Sequence, residues 1–307
     1  MINDILPRLP PRPVAGHKGT FGTVLVVAGQ ATMVGAPCFV ASGALRSGCG
    51  LVRMALPPAL MATCLGLVPS AIGVPRADLP GLVAQLSAES SGAHTVIAAG
   101  PGLGVGDDAA REIALVLSAA VPLVLDGTGL VHLALHDPAR LERTTALILT
   151  PHPGEYAKLA EAWGIPPLST DPSPEERQLA ALQLARVAGA VVVLKGHGTV
   201  VSNGVDCWTC PAGKAVLAIP GSGDVLTGVI AGLLAQGMAA IDAAMLGVGL
   251  HALAGELWAA RWPFGLLAMD LAALIPEAAR VHAAGQADQA LALSEVVLLP
   301  PTPLLLQ

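Results

Sequence analysis

Six short segments of this 307-residue chain are apolar at nearly every position: TVLVVAG (23–29), LVRMAL (51–56), TVIAAG (95–100), PLVLDG (122–127), ALILTP (146–151) and AVVVLKG (190–196). A strand with one wet face alternates apolar and polar positions. Uninterrupted runs are what parallel strands covered on both faces require. Between them the chain is rich in Ala and Leu, and the spacing predicts helices over roughly 35–48, 79–90, 107–120, 153–163 and 174–188. Three further apolar helices are expected around 224–236, 239–260 and 267–284. The stretch 200–210 reads as a hairpin turning at Asn203-Gly204, a dipeptide suited to tight turns. Alternation of β and α predicts right-handed crossovers and an α/β protein on a doubly wound, mostly parallel sheet. One domain over 17–284 is the simplest organisation, with a Pro-rich arm at 1–16 and an apolar, Pro-containing tail at 285–307.

Composition adds an ambiguity and resolves it. Hydrophobic residues make up 53% and charged residues 12%, and the mean hydropathy is +0.66. No charge lies between Lys18 and Arg46, a length able to span a bilayer. That run contains Gly22, Gly29, Gln30, Thr32, Gly35, Pro37 and Ser42, however, and divides into strand, turn and helix. The 225–241 run is diluted in the same way, so both read as buried core rather than membrane spans. No basic segment followed by an apolar one opens the chain, and a cytoplasmic location is expected. A net charge of -6 leaves no basic stripe for nucleic acid. An anionic ligand would have to be held locally, by backbone amides or a few cations. The five cysteines are scattered. Cys207 and Cys210 form a CxxC, but on the returning strand of a hairpin residues three apart point to opposite faces, which opposes a shared metal.

Polar oddities cluster where the predicted strands end: Gly29-Gln30, Gly100-Pro101-Gly102, Asp126, Thr150-Pro151-His152 and Lys195-Gly196. Ligands of open α/β sheets sit beyond these carboxyl ends. The segment AIPGSGDVLTGVIAGLL (218–234) carries one acid, Asp224, behind Gly221, Ser222 and Gly223. Asp224 could simply cap a helix. The glycines add a second possibility, since they let amide N–H groups converge at the positive end of the helix as an anion hole. A carboxylate beside such a hole repels phosphate unless it has a chemical task. General base toward a hydroxyl, while a phosphoryl group is transferred, fits that position. No GxxxxGK[ST] is present, and GPGLGVG (100–106) lacks the GxGxxG spacing, so neither a P-loop nor a Rossmann fingerprint applies. His152, held between Pro151 and Pro153, is either structural or functional. Glu155 could cap the next helix or lie near a metal. Lys195, at the end of an apolar strand, should emerge into the site beside a phosphate or an adenine ring.

In order along the chain, HKGTFGTVLVVAG (17–29), MVGAP (33–37), ALRSGCGLV (44–52), AAGPGLG (98–104), LTPHPGEYAKL (149–159), VVLKGHGTVV (192–201), PGSGDVLTGVIAGLLAQG (220–237) and GLLAMDL (265–271) resemble the ADP/ATP-dependent NAD(P)H-hydrate dehydratases. The resemblance covers about 17–280, and the GSGD core alone would fit the wider ribokinase-like superfamily. It implies a ribokinase-like three-layer αβα sandwich with a mostly parallel central sheet. It also implies a repair reaction, in which hydrated NADH or NADPH is restored with consumption of ADP or ATP. Asp224 would then be the base and Gly221, Ser222 and Gly223 the anion hole. Ala36, Gly102, Gly104 and His152, with Asp224, would bind the hydrated cofactor. Lys195, Gly196, His197, Gly198 and Thr199, with Gly223, would bind the nucleotide, and Mg²⁺ would bridge its phosphates. Relatives are often tetrameric, which implies a homo-oligomer. Four positions depart from the family pattern: Thr20 and Thr128 stand where Asp is usual, Lys214 where Asn is usual, and Ile219 where Thr is usual. Two other readings share Asp224 and the hole. One is a kinase of a small hydroxylated molecule of the hydroxymethylpyrimidine or thiazole type; the other is a non-catalytic nucleotide-binding descendant.

Overall fold

Among the described residues nine strands join into one sheet: β1 (Thr23–Val27), β2 (Leu51–Leu56), β3 (Ile72–Pro75), β4 (Thr95–Ala99), β5 (Leu123–Leu125), β6 (Leu147–Leu149), β7 (Val191–Leu194), β8 (Val200–Ser202) and β9 (Cys207–Thr209). Their order is β3-β2-β1-β4-β5-β6-β7-β8-β9. The first seven run parallel, and β8 and β9 close the sheet as an antiparallel hairpin. The order reverses between β1 and β4, which puts a switch point beyond their carboxyl ends. The structure is a computed structural model and describes residues 5–88, 95–141, 143 and 145–289. The first four residues of the expected arm and the tail from 290 onward lie outside the described residues.

Ten helices among the described residues cover the sheet: α1 (Gly35–Arg46), α2 (Pro58–Leu67), α3 (Leu79–Ala88), α4 (Asp107–Ser118), α5 (Thr128–Leu133), α6 (Pro153–Trp163), α7 (Pro174–Ala188), α8 (Ser222–Ala235), α9 (Ala240–Ala259) and α10 (Ala268–Ala283). Alternate residues of β1 divide between two cores, as a period of two demands: Val24 and Val26 enter one, Leu25 and Val27 the other. Helices α1, α2, α8, α9 and α10 bury their apolar positions in the first core, and α3 to α7 in the second. This is the expected three-layer αβα sandwich. The hairpin separates the two CxxC thiols as its geometry requires, with Cys207 packed against the second core and Cys210 inside the first.

Three elements have no counterpart in the apolar pattern. Strand β3 is an edge strand with Gly73 and Pro75, half-buried to exposed throughout, so no continuous run marks it. Helix α2 is apolar around much of its circumference and buries only Leu60 and Cys64. Helix α5 has six residues, too few to show a period. Among the described residues, α9 alone is long and apolar enough to cross a membrane, and most of it is packed inside the protein.

Helix α8 is positioned by close contact with α1. A Cβ on Gly228 would stand 2.0 Å from the Val40 carbonyl oxygen, and one on Gly43 would stand 2.3 Å from that of Val225. The two backbones therefore meet with no side chain between them. At the C-terminal end of α10 the N-terminal arm is tied down, with Leu6 buried in the first core and the Pro7 carbonyl 2.9 Å from His282 Nε2.

Candidate active site

A cavity of about 680 Å³ opens beyond the carboxyl ends of β5, β6 and β7 and at the mouth of α8. That is within the usual range of small-molecule sites. Four charged side chains from four segments meet in it. Asp126 follows β5 and is almost completely buried. Its Oδ1 accepts from Lys195 Nζ at 2.5 Å and its Oδ2 from Thr227 Oγ1 at 2.7 Å. Lys195 Nζ also lies 3.9 Å from Glu155 Oε2. Asp224 stands on the first turn of α8 and lines the same cavity.

Burial sets the protonation of this group. It pushes the Asp224 carboxyl up to about 7, and the negative charges of Asp126 and Glu155 add to the rise against the pull of Lys195. Burial likewise raises Glu155 to about 7, against the pull of Lys195. The Lys195 ammonium is opposed by burial, but Asp126 and Glu155 outweigh that and hold it above the usual lysine range. A carboxyl poised near neutrality beside a fixed cation suits a general base.

Helix α8 begins at Ser222, two residues before the sequence pattern predicts, with Gly221 as its cap in left-handed conformation (φ 85°). Asp224 is therefore the third helical residue and not the cap. The Ser222 amide is turned inward onto the Ile219 carbonyl at 3.3 Å. Those of Gly223 and Asp224 have no partner among the described residues, and two unpaired donors at a helix N-terminus have the geometry to hold an anion. A Cβ on Gly223 would lie 3.1 Å from Lys195 Nζ, so the ammonium stands directly against this turn.

His152 both caps a helix and lines the cavity. Its Nδ1 caps α6 by accepting from the Gly154 and Glu155 amides at 3.0 and 3.3 Å, while Glu155 Oε2 accepts from the His152 amide at 2.8 Å. With Nδ1 accepting, the ring proton belongs on Nε2, which is 3.3 Å from Glu155 Oε1. Burial and the nearby Lys195 push its pKa down, and the ring still lines the cavity.

The structure brings His152, the 195–199 loop, Ser222, Gly223 and Asp224 around one cavity. Gly221 stands behind it, facing the Phe39 ring. Ala36, Gly102 and Gly104 lie at the β1/β4 switch point and do not line this cavity; a Cβ on Gly102 would stand 3.0 Å from those of Ala36 and Met33. Asp126, Thr227, His251 and Glu256 join the site without having been singled out as site residues, although Asp126 belongs to the strand-end cluster of polar residues. His251 Nε2 lies 3.0 Å from the Ser222 carbonyl and 3.1 Å from its hydroxyl. A carbonyl only accepts, so Nε2 carries the proton, and the Ser222 hydroxyl hydrogen is left free. Burial keeps this imidazole neutral, with its pKa lowered to about 4. Buried Glu256 accepts from the Gly213 amide at 2.9 Å and lies 3.8 Å from Lys214 Nζ on the cavity wall. Of the departures from the family pattern, Thr128 donates to the Gly100 carbonyl at 2.9 Å, and Ile219 packs against the first core.

Among the described residues no group of three or more His, Cys, Asp or Glu is arranged to hold a metal. A magnesium ion accompanying phosphates needs only one or two protein carboxylates, since it keeps its remaining ligands as water and phosphate oxygens. Asp224, whose carboxylate lines the cavity with no hydrogen-bond partner among the described residues, fits that use, and Glu155, held by His152, lies nearby beside Lys195.

The layer order and a glycine-flanked helix mouth beyond the strand ends give the chain a ribokinase-like fold. The likeness in fold extends to a ribokinase-like superfamily protein of Enterococcus faecalis, with TM-score 0.77 and 24% identity over 92% of this chain and 94% of that one. Within this class, the profile described as NAD(P)H-hydrate dehydratase matches residues 24–277, and the chain belongs to that family. It is 34% identical to the ADP-dependent (S)-NAD(P)H-hydrate dehydratase of Bacillus subtilis, over 87% of this chain and 92% of that one. The crystal structure of the B. subtilis ADP/ATP-dependent enzyme, co-crystallised with ATP/Mg²⁺, superposes with TM-score 0.78 over 92% of this chain and 96% of that one, at 30% identity. The chain is also 36% identical to the bifunctional NAD(P)H-hydrate repair enzyme Nnr of Coxiella burnetii, over 87% of its own length. It spans about half the length of such bifunctional relatives, 52% in that case.

Proposed function

We propose that the chain dehydrates hydrated NADH and NADPH at the expense of ADP or ATP, with residues 17–284 acting as one dehydratase domain in the cytoplasm. The observation that carries this reading is Asp224, raised to about 7, standing against Lys195 and two unpaired helix amides in one cavity. Asp224 takes the proton of the ring hydroxyl. The hydroxyl oxygen bonds to the terminal phosphorus of the nucleotide as the bridging P–O bond to the leaving nucleotide breaks. The Gly223 and Asp224 amides and Lys195 stabilise charge on the transferring group. The ring C–O bond then breaks with loss of inorganic phosphate, and a proton leaves the adjacent ring carbon to restore the double bond. Lys195, Gly196, His197, Gly198 and Thr199 hold the nucleotide. His152 meets the hydrated ring, and the Ala36, Gly102 and Gly104 turn receives the rest of that long substrate. Bound magnesium would supply positive charge to the phosphates, next to Asp224 and Glu155.

The test is an assay of hydrated NADH and hydrated NADPH, each with ADP and with ATP. The expected result is recovery of reduced-nicotinamide absorbance with release of inorganic phosphate, dependent on nucleotide and Mg²⁺. Recovery without nucleotide would overturn the mechanism. A stable phosphorylated small alcohol would select the kinase reading, and nucleotide binding without any turnover the non-catalytic one. We also infer self-association, supported by the exposed Trp262, Phe264 and Leu267 beside the α9–α10 junction. Light scattering should then give a mass above one chain, and Phe264→Ser should lower it.

A further inference from the structure

The 195–199 loop is shaped from behind by a residue that lines no part of the cavity. Arg177, on α7, is 8% exposed and has no carboxylate within ion-pair distance among the described residues. One guanidinium nitrogen donates to the Leu194 and Lys195 carbonyls at 3.1 Å each, and its Nε is buried without a partner. Burying an unpaired cation is costly, so its retention needs a reason beyond packing. The geometry supplies one. In a planar trans peptide the carbonyl and the following N–H point in opposite directions. With the Lys195 carbonyl turned back onto Arg177, the Gly196 N–H points away from the guanidinium. That N–H has no partner among the described residues, and Gly196 lines the cavity. The next carbonyl, Gly196 O, accepts from Thr199 Oγ1 at 2.9 Å. Three successive carbonyls thus have partners within the chain, and the Gly196 N–H is left as a donor beside the cavity. At Gly196 itself (φ 134°) a Cβ would stand 3.1 Å from the guanidinium on the rear face, which would have to shift to admit it.

We propose that Arg177 is a positioning residue of the nucleotide site: by holding the Leu194 and Lys195 carbonyls it aims the Gly196 amide at a phosphate or ring acceptor of ADP or ATP. This rests on the nucleotide reading above. It separates Arg177 from a residue that merely supports the fold, because in this reading the 195–196 peptide faces the nucleotide and not the hydrated dinucleotide.

The experiment measures ADP and ATP binding by calorimetry, and KM for nucleotide and for hydrated NADH separately, in wild type, Arg177→Lys and Arg177→Ala. Lysine keeps the charge but not the planar fork. Both variants are expected to weaken nucleotide binding and raise nucleotide KM, by roughly tenfold for the alanine variant, the scale of one charge-assisted hydrogen bond. KM for the hydrated dinucleotide should change less than twofold. Millimolar guanidinium should restore part of the nucleotide affinity of Arg177→Ala and leave wild type unaffected. If the alanine variant does not fold, the lysine variant decides the matter. Unchanged nucleotide Kd and KM in a folded variant, or an equal rise in both KM values, would overturn the assignment. Wild-type protein that binds neither ADP nor ATP would overturn the nucleotide reading itself, a result visible before any variant is made.

Discussion

Asp224 is useful because its neighbours oppose one another. Burial, Asp126 and Glu155 raise its pKa and Lys195 lowers it, and the balance leaves it at about 7. Only the ionised carboxylate can accept a proton, so turnover should rise with pH through a limb near 7. Asp224→Asn should lower turnover by about 10²–10⁴-fold, the usual contribution of a general base, with nucleotide affinity nearly retained; turnover within a few-fold of wild type would remove the base assignment. The neighbours give signed tests of the same limb. Glu155→Gln removes a like charge and should move it to lower pH; Lys195→Met removes the compensating cation and should move it to higher pH. A kcat profile that stays fixed in both variants would mean that a different group is titrating. Asp224, Lys195 and His152 were legible in the sequence because each interrupts an apolar element or sits in a Gly- or Pro-marked turn. Thr227 and His251 were not. Each lies inside an apolar helix, and each meets its partner across a long stretch of chain, as when Thr227 reaches Asp126 over 101 positions. Spacing along one helix carries no record of such a meeting.

At the scale of elements, the site depends on how closely α8 approaches the sheet and α1. Its glycines are a structural device as well as part of the proposed phosphate site, since Gly228 abuts the backbone of α1 at Val40 and Ala44. Even one methyl there has nowhere to go. Gly228→Ala should destabilise the protein by about 1–3 kcal/mol, as overpacking does. It should also lower turnover by displacing the helix mouth that carries Gly223 and Asp224. Urea unfolding together with kcat checks this, and a variant as stable and active as wild type would show that the contact relaxes freely. The central strands were readable because both faces of the sheet are covered, which leaves β1, β2 and β4 apolar at almost every position. The register of α1 against α8 was not readable. The glycines of both segments are visible in the sequence, but which of them touch depends on a packing between residues almost two hundred positions apart.

At the scale of the whole molecule, a chain of low charge content concentrates Asp126, Glu155, Asp224 and Lys195 in a single buried group, an arrangement suited to chemistry and adverse to stability. The sign follows from linkage. A carboxyl raised from the ordinary 3.8 to about 7 is harder to ionise in the folded protein than in the unfolded chain. Its favourable contribution is complete below the unfolded pKa and is lost as pH rises through the folded one. Asn at position 224 cannot ionise and escapes that loss. Asp224→Asn should therefore match wild type near pH 4 and become progressively more stable between about pH 4 and 7. Above that range the gain should reach on the order of 2–4 kcal/mol, at about 1.4 kcal/mol per pKa unit with a discount for the face of Asp224 open to the cavity. Denaturant melts of both proteins across this range measure it. Equal stability at pH 8 would mean that Asp224 is solvated like a surface carboxylate, which would remove the physical basis for its action as a base near neutral pH. A stability gain coupled to lost turnover is the pattern expected where a destabilised residue is retained for function.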